Sequence, residues 1–221
     1  MYRSLLVFFS VILALNSGCA RDKGKSGAGN EDMAAWKTVG IGTAIPSPDG
    51  NGYRLTEGSG SQGVTFVSSK AYGKNMTLSF KIMPEKREGV CVVFLSAADS
   101  AGQLSIPPDN DGGIGVWSEG SVHNYMIAFH TAYHQPNLFI RKNPGLVDIV
   151  QIPDPAGEEK WYEMEIGRNE ARIWVKVNGE TVLEGVDPEA GGLPGGHVGI
   201  RLRGPGDGSF SCLVKDVAVK E

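Results

Sequence analysis

Residues 124–145 read NYMIAFHTAYHQPNLFIRKNPG, and their side chains sort cleanly when the backbone is taken as extended. Successive residues of a strand point to opposite sides. Tyr125, Ile127, Phe129, Thr131 and Tyr133 then share one face, while Asn124, Met126, Ala128, His130, Ala132 and His134 share the other. The first set is bulky and apolar, as one side of a packed core requires. The second is small in its middle and polar at its ends, which suits the floor of a groove. The run at 138–142 splits the same way: with Leu138 and Ile140 inward, Phe139, Arg141 and Asn143 turn towards the face of His130. An imidazole, a guanidinium, an amide and an aromatic ring would then gather on one open sheet face. That is the chemistry of a sugar site.

The same period of two continues outward in both directions. At 75–83, Met76, Leu78, Phe80 and Ile82 alternate with Thr77, Ser79 and Lys81, and the charged turn after Pro84 ends the run. Residues 90–95 are continuously apolar, which predicts a central strand buried on both sides. Shorter strands are expected at 53–56 and 63–68. Downstream they are expected at 147–152, 161–166, 171–177, 181–183, 196–203 and 210–219. In the run at 196–203, Val198, Ile200 and Leu202 point in, and His197, Arg201 and Arg203 point out. Asn178-Gly179 is the strongest hairpin signal in the chain. No 11-residue window after the N-terminal segment carries a 3.6-residue period. With 31 glycines and 12 prolines to make turns, the chain reads as all-β, a sandwich or a barrel.

The N-terminus has a different character. Arg3 precedes the apolar run LLVFFSVILAL at 5–15, the length of an export signal and too short to cross a bilayer comfortably. Ser17 and Gly18 lead into Cys19, and this junction resembles a bacterial lipoprotein processing site, with Asn16 where leucine is usual. Residues 1–18 are therefore expected to be a signal peptide, Cys19 the lipidated residue, and 19–32 a polar, flexible tether. Ala20 after the cysteine favours the outer membrane. The folded domain is expected over 33–221. Cys91 and Cys212 lie in apolar strand patterns and read as buried thiols, although export would permit a disulfide if their strands meet. The net charge is −4 and no basic cluster of the kind needed to neutralise phosphates occurs, so nucleic acid is not an expected partner.

Between 98 and 120 lies a long loop rich in Gly, Pro, Asp and Ser, and such loops tend to be functional. Asp109, Asn110, Asp111 and Gly112 resemble the start of a calcium loop but lack its later ligands. A structural calcium is the one cofactor the sequence hints at, and a plain turn cluster is the simpler reading. Trp117, on the same loop, either walls the groove or plugs the sheet edge.

Phe129 to Gly145, FHTAYHQPNLFIRKNPG, is similar to the His-x-x-Tyr and Asn-Leu-x-Arg-Lys-Asn-Pro-Gly pattern of the YesU-like family. VVFLSAADSAG upstream fits that family in order, as do the Trp161 strand, Asn178-Gly179 and GGHVGIRL downstream. Here Phe139-Ile140 follows Leu138, so the spacing before Arg141 departs from the pattern. The resemblance implies a concanavalin A-like jelly-roll sandwich of two antiparallel sheets with a glycan-facing concave side. It also implies an association with polysaccharide degradation. The last third resembles the 3-keto-disaccharide hydrolase family as well, through features that many jelly rolls share.

Two kinds of chemistry suit these residues. A polysaccharide lyase needs a base, a proton donor and a carboxylate clamp. His130, Tyr133 (or Tyr125) and Arg141 with Asn143 would supply them, with the difficulty that alternation sets both tyrosines opposite His130. Glycan binding without cleavage needs only a surface, and Asn124, His134, Phe139, Asn143 and Trp117 are its candidates. Glycosidase action needs two carboxylates, and Glu163 and Glu165 are the one pair at strand spacing. They look like an exposed acidic face. No nucleophile triad, phosphate loop or zinc motif is present.

Overall fold

The computed structural model describes residues 30–130, 136–156, 159–208 and 210–221. The expected export signal, the expected lipidation site Cys19, Tyr133 and His134 lie outside the described residues. In chain order the strands are β1 (Lys37–Gly40), β2 (Gly42–Pro46), β3 (Tyr53–Glu57), β4 (Val64–Val67), β5 (Met76–Pro84), β6 (Val90–Ala98) and β7 (His123–Phe129). They continue as β8 (Asn137–Asn143), β9 (Val147–Pro153), β10 (Tyr162–Asn169), β11 (Arg172–Val177), β12 (Glu180–Val186), β13 (His197–Arg203) and β14 (Ser211–Lys220). A 3-10 turn at Met33–Ala35 precedes them, capped by the Asp32 carboxylate.

These strands build two seven-stranded sheets among the described residues. The first runs β1-β4-β13-β6-β7-β8-β9 and the second β12-β11-β10-β5-β14-β3-β2. Neighbours pair antiparallel throughout. The inner faces meet in one core. Cys91, Val93 and Leu95 of β6 and Tyr125, Ile127 and Phe129 of β7 face Leu78, Phe80, Ile82, Ile166 and Val175 from the other sheet. Alternation thus sorts the side chains as the sequence implies. At the tip of β11 and β12, Asn178 and Gly179 both take positive φ, 52° and 85°, as a two-residue hairpin turn demands.

Cys91 and Cys212 approach across the core from opposite sheets, their sulfurs 3.5 Å apart and both thiols free. Burial pushes the Cys212 thiol well above its ordinary range.

The first sheet is covered on both sides over half its width, which is why β6 is apolar throughout. On its outer face a second apolar cluster forms, in which Val39, Val67, Phe94, Ala97 and Met126 lie under Trp117 and Val122. The connection between β6 and β7, with a single helical turn at Gly115–Ser118, folds back over that half. Trp117 is fully buried and stacks on Phe94 at 4.4 Å and 13°, a geometry that adds to the apolar burial. Trp117 therefore packs over the middle strand of its sheet, neither at the sheet edge nor among the residues lining the open half. The other half of the outer face stays open.

Candidate functional site

The open half is a cleft of about 440 Å³, lined among others by Val92, Ala128, Phe139, Arg141, Gln151 and Arg201. Its floor follows from strand register. Arg201 of β13 pairs with Val92 of β6, Val92 with Ala128 of β7, Ala128 with Phe139 of β8, and Phe139 with Gln151 of β9. One straight rank therefore crosses five strands, all its side chains on the outer face. From Arg201 to Phe139 is three strand spacings, about 14 Å. The middle is flat and apolar, because Val92 and Ala128 are small. Polar groups stand at both ends.

Phe139 and Arg141 stand at one end of the cleft. The Arg141 guanidinium lies 4.7 Å over the Phe139 ring and its Nε donates to Asp148, its register partner, at 2.5 Å. A register shift at Ile140/Arg141 leaves Ile149 of β9 without a partner, and β8 itself keeps its alternation, with Arg141 outward. At the opposite end Arg203 donates to Glu57 at 2.9 Å and to Gln62 Oε1 at 3.3 Å. Arg201 lies beside it, 3% exposed. Its Nη2 donates to the carbonyls of Gln62 and Gly112 at 2.7 and 2.9 Å. Gly63 makes room for it: a Cβ there would stand 2.3 Å from Nη2, so only glycine fits.

Other expected site residues are elsewhere. The register of β7 would set His130 on the floor between Val90 and Asn137 if the strand continued. It does not, because His130 takes φ 52°, a left-handed conformation that turns the side chain out of alternation. The imidazole is fully buried, stacked on Phe210 at 5.9 Å. Nδ1 lies 3.1 Å from the Ala156 carbonyl and Nε2 2.6 Å from that of Lys86. The expected sharing of one face by His130 and Arg141 is thus corrected. Neither nitrogen of His130 is left for a substrate.

Asn124 and Asn143 do lie on the outer face, but beneath the covering loop and fully buried. The Asn124 amide donates to the carbonyls of Trp117 and Val122 at 2.7 and 3.0 Å, and Asn143 donates to Asn124 Oδ1 at 3.1 Å. They fasten the loop to the sheet rather than reach a ligand. Tyr125 is core: its hydroxyl donates to Asp187 at 2.6 Å and accepts from the Leu193 amide at 2.8 Å, and burial pushes its phenol far up.

Glu163 and Glu165 belong to the second sheet, on the far side of the molecule from the cleft. Each has its own lysine, Glu163 with Lys81 at 3.3 Å and Glu165 with Lys176 at 2.7 Å. In the calcium-like segment, Asn110 Oδ1 accepts from the Gly112 amide and Asp111 Oδ1 from that of Gly113, each at 2.9 Å. These are turn-forming bonds. No group of three or more metal-ligating side chains occurs among the described residues.

Sequence reading alone did not connect Gln62, Arg201 and Arg203 with this site. Alternation set both arginines outward on their strand. Their meeting with Phe139 depends on β13 lying beside β6, a pairing that local sequence does not state.

Several solved structures share this architecture. A protein of unknown function with a galectin-like fold from Bacillus subtilis superposes with a TM-score of 0.70 at 18% identity, over 85% of this chain and 89% of that one. The carbohydrate-binding module CBM66 from Bacillus subtilis gives 0.57 at 13% identity, over 84% and 95%. The fold is the concanavalin A-like jelly roll. A Bacillus licheniformis β-glucanase shares it too, with a TM-score of 0.55 at 11% identity over 86% and 93%. No family profile and no curated protein matches the chain in sequence. Within this jelly roll the cleft occupies the outer face of the β6-containing sheet, where the covering loop stops.

Proposed function

We propose that the protein is an exported, lipid-anchored glycan-binding protein of YesU-like type, and that it holds its ligand in this cleft without cleaving it. The rank Arg201-Val92-Ala128-Phe139-Gln151 carries the reading. It offers a flat apolar floor to a sugar face, an aromatic wall for stacking, and hydrogen-bonding groups at both ends. Neighbours that include a carbohydrate-binding module support it. Among the described lining residues there is no carboxylate and no imidazole. Among the described residues, then, the cleft holds neither the paired acids of a hydrolase nor, with His130 packed away, the base of a lyase. The anchor rests on residues 5–19 alone, and fractionation of a Cys19→Ser variant, expected to leave the membrane, is its test.

Immobilised glycans, neutral and acidic, should include at least one that the protein binds, with no unsaturated uronate product formed on long incubation. Phe139→Ala should weaken that binding about tenfold or more. This matches the roughly 1–2 kcal/mol expected for a lost aromatic platform. Binding to none of the glycans, or unchanged binding by the variant, would remove the proposal. Turnover by the parent protein would replace it with an enzymatic one.

A further inference from the structure

The three arginines lining the cleft differ in how their charge is met. Arg141 has Asp148 and Arg203 has Glu57. Arg201 makes no direct ion pair among the described residues; the Glu57 carboxylate, already held by Arg203, acts on it only through space. The hydrogen-bond partners of Arg201 are neutral carbonyls: Gln62 and Gly112 on Nη2, and Leu202 at 3.4 Å on Nη1. Its Nε, buried, has no partner at all.

Arg168 shows what a purely structural buried arginine looks like in the same molecule. All three of its nitrogens donate, to Glu170, Leu193, Pro194 and Ser96, and it lines none of the larger clefts described. Arg201 instead lies at the foot of a cleft with an apolar floor, where water screens poorly and a bare cation acts strongly on what enters. Burial pulls its guanidinium down to about 10, so it is still charged at neutral pH.

We propose that the saccharide held in this cleft is anionic, with a carboxylate or sulfate seated towards Arg201 while a neutral ring lies against Val92, Ala128 and Phe139. The inference rests on the glycan-binding reading and adds the ligand's charge and its orientation. A planar guanidinium is the side chain best suited to such a group. The anion would give Arg201 the direct charged partner that Glu57, paired with Arg203, does not.

The test compares hexuronate oligosaccharides with the same oligomers after carboxyl reduction, and sulfated oligosaccharides with their desulfated forms, by calorimetric titration of the intact protein. Binding of the charged member about 10- to 100-fold tighter is expected, the range of a charge-assisted hydrogen bond. The pair that shows it identifies the anion. Arg201→Met should abolish the preference, so that the charged and neutral members of each pair bind alike. If that variant does not fold, the comparison on the parent protein decides alone. Equal affinities for charged and neutral members overturn this inference and leave the glycan cleft standing. Binding of no member of either series overturns both.

Discussion

Replacing Arg168 by leucine is expected to cost more than about 4 kcal/mol of stability, among the largest effects of any single substitution in this chain. Arg168 leaves the inner face of β10 and crosses to the other sheet, where Nη1 donates to Ser96 at 2.6 Å and to the Pro194 carbonyl at 3.1 Å. Nη2 donates to the Glu170 and Leu193 carbonyls, both at 2.6 Å, and the guanidinium stacks 5.0 Å from the Tyr125 ring. Leucine fills part of the volume but donates nothing. The buried Leu193 carbonyl and the partly buried carbonyls of Glu170 and Pro194 then lose a donor, and each group left unmet inside costs up to roughly 1–3 kcal/mol. In a domain of this size the melting temperature should fall by roughly 10 °C or more. A fall of less than about 1.5 kcal/mol in urea unfolding would show that water replaces the guanidinium and that the sandwich end is looser than described.

A second network lies beside it and couples stability to pH. Asp187, fully buried, accepts from Tyr125 at 2.6 Å and from the Glu189 amide at 3.0 Å, and pairs with Lys142 at 3.0 Å. Burial alone would raise the Asp187 carboxyl. The Tyr125 hydroxyl, the Glu189 amide and Lys142 together outweigh it and hold the group below 3.8. Burial likewise works against the Lys142 charge, and Glu189 and Asp187 reverse it, so its ammonium stays raised. Lys142→Met therefore strands a buried carboxylate, at about 3–5 kcal/mol near neutral pH. A depressed carboxyl stabilises above its unfolded pKa and loses that contribution as pH falls through the folded one. The gap between the parent protein and the variant should thus be widest at neutral pH and close only as pH falls through the depressed folded value of Asp187, below 3.8, where the carboxyl is protonated in both. Denaturant titrations across that range check it. A gap independent of pH would mean that Lys142 acts by packing alone.

Much of this fold was legible because burial imposes a period of two on every strand with one inner face. Met76 to Ile82, Tyr125 to Phe129 and the inward set of β13 all follow it. β1 and β2 escaped notice because they are short sheet-edge strands, largely exposed, and carry no apolar alternation. The site was half legible. Phe139 and Arg141 face where alternation puts them, since β8 stays regular to its end. His130 does not, because one residue at positive φ reverses the pattern and no neighbour announces it. Asn124 and Asn143 face outward as read, but which half of the sheet the loop covers is a long-range packing choice. The pattern of faces could not say that they lie under Trp117. Arg201 was visible only as an outward arginine, since its role depends on which strand lies next to it.

The central claim is that glycan is held across β13, β6, β7 and β8 on the outer face of the first sheet. Amide chemical-shift mapping of isotope-labelled protein, titrated with the tightest glycan from the array, tests it most directly. Val92, Ala128, Phe139 and Arg201 are expected to shift together, while Lys81, Glu163, Glu165 and Lys176 on the opposite sheet stay still. Shifts concentrated on that opposite face, with the rank from Arg201 to Gln151 unmoved, would contradict it.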